Sequence, residues 1–228
     1  MTTLLAIETS TDLASVALTH NHRIICRDLS GVQTHSYGLL PAVQEILREA
    51  GVGLNQLDAI AFGCGPGAFT GVRTACGVVQ GMAFGLQIPV LSVVSLLAMA
   101  EAVKSTDQCL DIVCCLDARM NEVYWAHYRF QHDGWLEIHA PSLSDLKAAL
   151  DYTHAKKLSL ALGHGLTLPE SYVNMPHLAA MPHARFALQV AERNFQHGIT
   201  MDAALAQPLY LRNKVAQTTA ERALTREV

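Results

Sequence analysis

The stretch Cys64 to Arg73, CGPGAFTGVR, is the first place in this chain where residue types and spacing suggest chemistry. Glycines and a proline join an apolar, strand-like run, AIAF, to a helix-like segment, VRTACGVVQGMAF. The first N–H groups of a helix have no partner inside it, so such a junction is a ready anion site, and a phosphate is the first ligand to weigh. Glycine also serves where a strand turns sharply into a closely packed helix, with no ligand at all. Other chemistry finds less support. Two imidazoles on one helical face would need H-x-x-x-H, and none of the eleven histidines is paired that way. His35, with Ser36 beside it, reads as a helix-start or exposed residue; His20 and His22 read as hairpin residues, and His177 and His183 flank a Pro-rich loop. No metal site is assigned. The loop holds no G-x-S-x-G elbow and no neighbouring histidine, so Cys64, at a strand end, reads as a small buried hydrophobe and no catalytic residue is assigned.

Composition limits the choices further. A chain of 228 residues can bury a substantial core as one large domain or two small ones. Half of it is hydrophobic and 16% is charged, which excludes disorder for most of its length. A net charge of -4 argues against a strong electrostatic grip on nucleic acid, because that affinity comes from Lys and Arg neutralising phosphates. The six cysteines form no C-x-x-C pair and no basic, cleavable leader opens the sequence, so reduced thiols in the cytoplasm are expected. The charge-free stretch between Arg73 and Glu101 raises the question of a membrane span. Gly77, Gln80, Gly81, Gly85, Gln87 and Pro89 interrupt it, and it reads as a helix, a turn, the strand IPVLSV and a further helix.

The elements that must position these residues come in two similar sets. LLAIET, ASVALTH and RIICRDL read as an antiparallel meander with turns at STDL and NH. A helix from about Tyr37 to Ala50 follows, with Leu39, Leu40, Val43, Ile46 and Leu47 at helical spacing. Strand DAIAFGC, the glycine loop and its helix, strand PVLSV and a helix from Leu96 to Val103 complete the set. DIVCCLDA, EVYWAHYRF and WLEIHA then begin a second meander, followed by helix LSDLKAALDY, strand KLSLALG and a helix around RFALQVAERNFQ. Each set opens with an apolar strand that ends in an acid, Glu8 or Asp117, before a short turn. The expected fold is α/β, a duplicated β-β-β-α-β-α unit in two lobes, residues 1–106 and 107–228, with the boundary in the polar KSTD from Lys104 to Asp107.

At this point the residues carry a family resemblance. The duplicated unit resembles the actin-like ATPase superfamily, with its ribonuclease H-like fold, of hexokinase, heat-shock ATPase and actin. LLAIETSTDLASVAL, GPGAFTGVRTACGVVQGMAFGLQIPVLSVVSLLAMA and QPLYLRNKVAQ, in that order, look like the TsaB family. The likeness spans nearly the whole chain and is weaker between Trp135 and Arg185. It implies a non-catalytic scaffold that pairs with TsaD, a paralogue of the same fold. TsaD holds the metal and transfers a threonylcarbamoyl group to the adenosine beside the anticodon of tRNA. The resemblance further implies a third protein, the ATPase TsaE, at the pair, a homodimer in isolation, tRNA reached through the complex, and no cofactor of its own.

The superfamily also implies a cleft in which two strand-turn-strand hairpins cradle nucleotide phosphates. Here the first turn, ETSTDLAS with Glu8, Thr9 and Ser10, lacks glycine, and the second, LDARMNEV after Asp117, presents Arg119 and Met120 where phosphates would lie. Gly163 and Gly165 in LGHGL stand where an adenosine-side loop would be. Glu8, Thr9, Ser10, Asp117, Gly163 and Gly165 are candidates for a vestigial nucleotide cleft. An ATP-dependent small-molecule kinase of the superfamily is the alternative function, and a peptidase a third. The glycine-bearing helix carries Gly77, Gly81 and Gly85 at four-residue spacing, a smooth strip on which another backbone can lie close. In the resembled family this helix and the preceding one meet the partner in a helical bundle. The expected partner surface is therefore Leu39, Leu40, Val43, Leu47, Val72, Cys76, Gly77, Val79, Gly81 and Ala83. On this reading the glycines of CGPGAFTGVR set the entry of an interface helix and are not a phosphate cradle.

Overall fold

A computed structural model describes residues 2–30, 34–104, 110–132 and 134–212. Two five-stranded sheets organise the chain. The first contains β1 (Leu4–Glu8), β2 (Leu13–His20), β3 (Arg23–Ser30), β4 (Ala59–Gly65) and β5 (Val90–Val94). Its order is β3-β2-β1-β4-β5, antiparallel across the meander and parallel from β1 through β4 to β5. The second contains β6 (Asp111–Arg119), β7 (Glu122–Gln131), β8 (Gly134–Asp145), β9 (Ser159–Leu162) and β10 (His177–Ala179). Read from β8 its order is β8-β7-β6-β9-β10, the same plan. Internal duplication, expected from two acid-terminated strands, is thus present strand for strand.

The helices are α1 (Thr34–Ala50), α2 (Phe69–Leu86), α3 (Ser95–Ala102), α4 (Leu146–Ala155) and α5 (Ala184–Gln196). The strict alternation of strand side chains separates four apolar layers. Leu5, Ile7, Val16, Leu18, Ile60 and Phe62 point to one face of the first sheet, where α1 and α2 cover them. Leu4, Ala6, Ala17, Ala59, Ala61 and Leu91 point to the other, where Ala184, Ala187, Leu188 and Ala191 of α5 cover them. On the second sheet, Ile112, Cys114 and Leu116 meet Leu96 and Met99 of α3, while Val113, Cys115 and Leu160 meet Ala149 and Leu150 of α4.

Two expectations change here. The helix around RFALQVAERNFQ does not follow β9 directly, because β10 intervenes, so α5 is the counterpart of α3. The counterpart of α2 is reduced to a turn and a short 3-10 segment, Glu170–Tyr172. β10, of three exposed residues, has too little apolar pattern to be read in advance. The lobes are also not divided where the chain is divided. α5 and the segment around Met201, which bridges to Val90, pack on the first sheet, whereas α3 lies between the two, with Ala98 in the apolar layer of the first sheet and Leu96 and Met99 in that of the second. An apolar helix goes to the sheet face left uncovered, and sequence order does not restrain it. The proposed boundary residues 105–107 lie outside the described residues. At the junction, Glu101 of α3 is buried and ion-paired with Arg193 of α5 and with Lys104 at 2.7 Å, and it accepts Trp135 Nε1–H from β8 at 2.6 Å. Among the described residues no helix is long and apolar enough to cross a membrane.

Candidate functional site: the interlobe cleft and the outer face of α2

The glycine loop is shaped by the turn after β1. Thr9 Oγ1–H donates to Gly71 O at 2.7 Å, and Ala68 N–H donates to Ser10 O at 2.6 Å. A Cβ on Gly71 would stand 1.9 Å from Thr9 O, one on Gly67 2.2 Å from Ser10 O, and one on Gly63 1.9 Å from Glu8 Oε2. Three glycines at four-residue spacing thus receive three consecutive residues, Glu8, Thr9 and Ser10. The geometric use of glycine prevails over the phosphate cradle at these positions: the loop binds the protein's own turn.

Glu8 is fully buried, with Ser10 N–H donating to it at 2.6 Å and Ser95 Oγ–H at 2.9 Å. Burial raises its pKa, against the opposing pull of the hydrogen bonds from Ser10 and Ser95. Neither Glu8 nor Thr9 lines the cavity between the lobes, which has a volume of about 680 Å³. Gly163 is packed instead against Cys115 O and Leu116, where a Cβ would come within 2.8 Å of Leu116 Cδ2. Ser10, Asp117 and Gly165 do line the cavity. So half of the candidate cleft residues face it, and the strand-end acid of the first unit is turned into the core.

The second hairpin turn is built differently. Arg119, Met120 and Asn121 all have positive φ, 64°, 57° and 58°. Arg119 N–H donates to Asp117 Oδ1 at 2.8 Å. Its guanidinium lies 3.4 Å from Asp117 and 4.0 Å from Asp12 on the first hairpin. The cavity wall is otherwise largely apolar, with Phe69, Met120, Tyr124, Met181 and Tyr210 prominent. No group of three or more His, Cys, Asp or Glu among the described residues could hold a metal ion. Cys64 is buried, and burial, with Glu8 nearby, pushes its thiol up to about 12, where it is a poor nucleophile. His35 and Ser36 side chains and Cys109 lie outside the described residues.

On the two helices, the expected partner surface separates into two sets. Leu39, Val43 and Leu47 of α1 and Val72, Cys76, Val79 and Ala83 of α2 are buried in the core against the first sheet. Apolar residues at helical spacing mark the face that seeks the sheet, which is why they are inside. Leu40, Gly77 and Gly81 remain exposed. Among the described residues, a Cβ at Gly77, Gly81 or Gly85 would meet nothing within 4 Å, so the glycine strip is open there. Phe84 is 78% exposed beside it, and Tyr37 and Leu40 of α1 are 85% and 48% exposed. Phe84 and Tyr37 break the amphipathic pattern, and that departure was the available signal for them.

Duplicated sheets with a cavity between two hairpin turns define an actin-like α/β protein. Residues 29–220 match the family model TsaD, tRNA N6-adenosine threonylcarbamoyltransferase. The chain is 35% identical to the "tRNA threonylcarbamoyladenosine biosynthesis protein TsaB" of Haemophilus influenzae, over 93% of this chain and 94% of that protein. It is 33% identical to the protein of the same name from Escherichia coli, over 93% and 96%. The solved structure "YeaZ from Pseudomonas aeruginosa" superposes with a TM-score of 0.80 at 39% identity, covering 92% of this chain and all of that one. The chain belongs to the TsaB family.

Proposed function

We propose that this chain is the non-catalytic subunit of a tRNA threonylcarbamoyladenosine-forming complex. In this reading it pairs in the cytoplasm with a TsaD-type transferase, with a TsaE-type ATPase joining the pair. It self-associates when the partner is absent and reaches tRNA through the complex. The observation that carries the reading is the open glycine strip of α2 with Phe84 beside it. Exposed aromatic side chains next to a groove that admits a backbone are what an interface anchor requires. The family names of the Haemophilus and Escherichia relatives support the pathway, and the match of this chain to the transferase model supports a partner of the same fold. The cleft supports the non-catalytic part. One strand-end carboxylate is sealed in the core, and Arg119 extends from the second turn towards Asp12.

The decisive comparison is Gly81→Leu against Arg119→Ala, each as the sole copy in cells, with threonylcarbamoyladenosine in bulk tRNA and capture of the transferase as readouts. Gly81 has open space, and leucine has the higher helix propensity by roughly 0.8 kcal/mol. Gly81→Leu is therefore expected to fold and to lose both docking and modification, while Arg119→Ala keeps both. Full modification with Gly81→Leu and none with Arg119→Ala would transfer the function to the cleft, as the kinase alternative requires.

A further inference from the structure

The segment from Ala206 to Arg212 runs along the start of α2 and ends on the β6–β7 turn of the other lobe. Ala206 O accepts from Gln80 Nε2 at 2.9 Å and from Cys76 Sγ at 3.4 Å. Leu209 N–H donates to Cys64 O at 2.7 Å. The Tyr210 ring lies 5.8 Å from that of Phe69, and its hydroxyl accepts Arg73 Nε–H at 2.6 Å. All these anchors belong to the first lobe. Arg212 then crosses to the second. It donates to Ala118 O at 3.0 Å, Arg119 O at 3.3 Å, Glu122 Oε2 at 2.5 Å and Met120 Sδ at 2.9 Å.

The acceptors surround the turn in which Arg119, Met120 and Asn121 are all left-handed. Residues with a Cβ adopt such a run at a cost and keep it only where their surroundings hold it. One guanidinium reaching two carbonyls, a carboxylate and a thioether of this turn supplies that hold. Arg212 Nε is itself buried without a hydrogen-bond partner among the described residues, a cost that favours the released state. Leu209, Tyr210, Leu211 and Arg212 also line the interlobe cavity, so they form part of its wall.

We propose that Ala206–Arg212 is a strap that latches the two lobes across the cleft: fastened, it holds the β6–β7 turn in its left-handed form and closes one side of the cavity; released, it lets the turn relax and the cavity open. The strap is anchored on the first turns of α2, so it connects the helix that carries the glycine strip to the cleft.

The test is NMR of the full chain with ¹³C-labelled methionine methyls, combined with amide hydrogen exchange. Met120 and Met181 line the cavity, and Met99 is buried in the core. Tyr210→Ala removes an anchor on the first lobe without altering the turn. It is expected to move the half-buried Met181 signal towards the position of solvent-exposed methionines, to shift that of the already exposed Met120 through loss of its contact with Arg212, and to abolish protection of the Leu209 amide, with Met99 unmoved. Arg212→Gln, which cuts the other end, should give the same pattern. Unchanged Met120 and Met181 signals in Tyr210→Ala, or a retained Leu209 amide, would show that no latch exists. Movement of Met99 together with the cavity methionines would make the strap part of the fold, and would overturn the proposal equally.

Discussion

Thr9 and Gly71 are joined at a distance that leaves no room for a side chain at position 71: the threonine hydroxyl donates to the glycine carbonyl at 2.7 Å, and a Cβ on Gly71 would lie 1.9 Å from Thr9 O. The start of α2 is therefore fixed to the turn after β1. Gly71→Ala is expected to lower the unfolding free energy by about 2 kcal/mol or more, read from the urea midpoint, because backbone and not a flexible side chain must move. Gly77→Ala, on the open face of the same helix, should do the reverse and stabilise by up to about 1 kcal/mol. Equal effects at the two positions would contradict this packing.

Val43 and Gly81 were both expected at the partner surface, and burial now separates them, Val43 in the core and Gly81 on the exposed face of α2. Val43→Glu puts a carboxylate into the core cluster of the first sheet and should yield insoluble or molten protein. Phe84→Asp should melt close to the parent, and Gly81→Leu no lower than it. If self-association uses the α2 face, light scattering of either at high protein concentration should report a monomer where the parent reports a larger species.

Glu101 makes stability sensitive to acid. Burial alone would raise its pKa, but hydrogen bonds from Arg193, Lys104 and Trp135 overcome this and hold it below its ordinary value of 4.5. The folded pKa lies under the unfolded one, so the contribution is complete above pH 4.5 and is lost as pH falls through the lower folded value. Glu101→Gln should therefore be less stable than the parent at neutral pH, by about 3 kcal/mol if Arg193 is left unpaired. Its urea midpoint should fall less steeply below pH 4.5.

Glu8 has the opposite sign. Its folded pKa is raised, so the fold loses stability as pH rises from the unfolded value, ordinarily 4.5, to the higher folded one. Glu8→Gln keeps an acceptor for Ser10 N–H and Ser95 Oγ and removes the buried charge. It should match or exceed the parent in melting temperature at pH 8 while losing that advantage in acid. Glu8→Ala leaves those two donors without a partner, at about 1 to 3 kcal/mol each, and should melt lower at every pH.

Most of the fold was legible because strands and helices declare themselves locally. Alternation in LLAIET and DIVCCLDA, and helical spacing in α1 and α2, depend on neighbours a few residues away. β10 and the missing counterpart of α2 were not legible, since three exposed residues and a turn carry no period. The candidate site was legible only in part. Asp117 and Gly165 reach the cavity, whereas Glu8, read in the sequence as the same kind of strand-end acid as Asp117, turns inward because Gly63 on β4 leaves room for its carboxylate. Arg212 and Tyr210 were visible only as letters within a motif, their partners lying at least 90 residues away.

The sequence by itself determined the duplicated plan and the identity of the α2 glycine strip, because each is a matter of local pattern and residue type. Only the tertiary structure decided which side of each helix is inside, where α3 and α5 pack, and that Gly63 and the glycines Gly67 and Gly71 of CGPGAFTGVR receive Glu8, Ser10 and Thr9. Those outcomes depend on distances between residues far apart in the chain, and close packing admits a single arrangement of them where the pattern alone admits several.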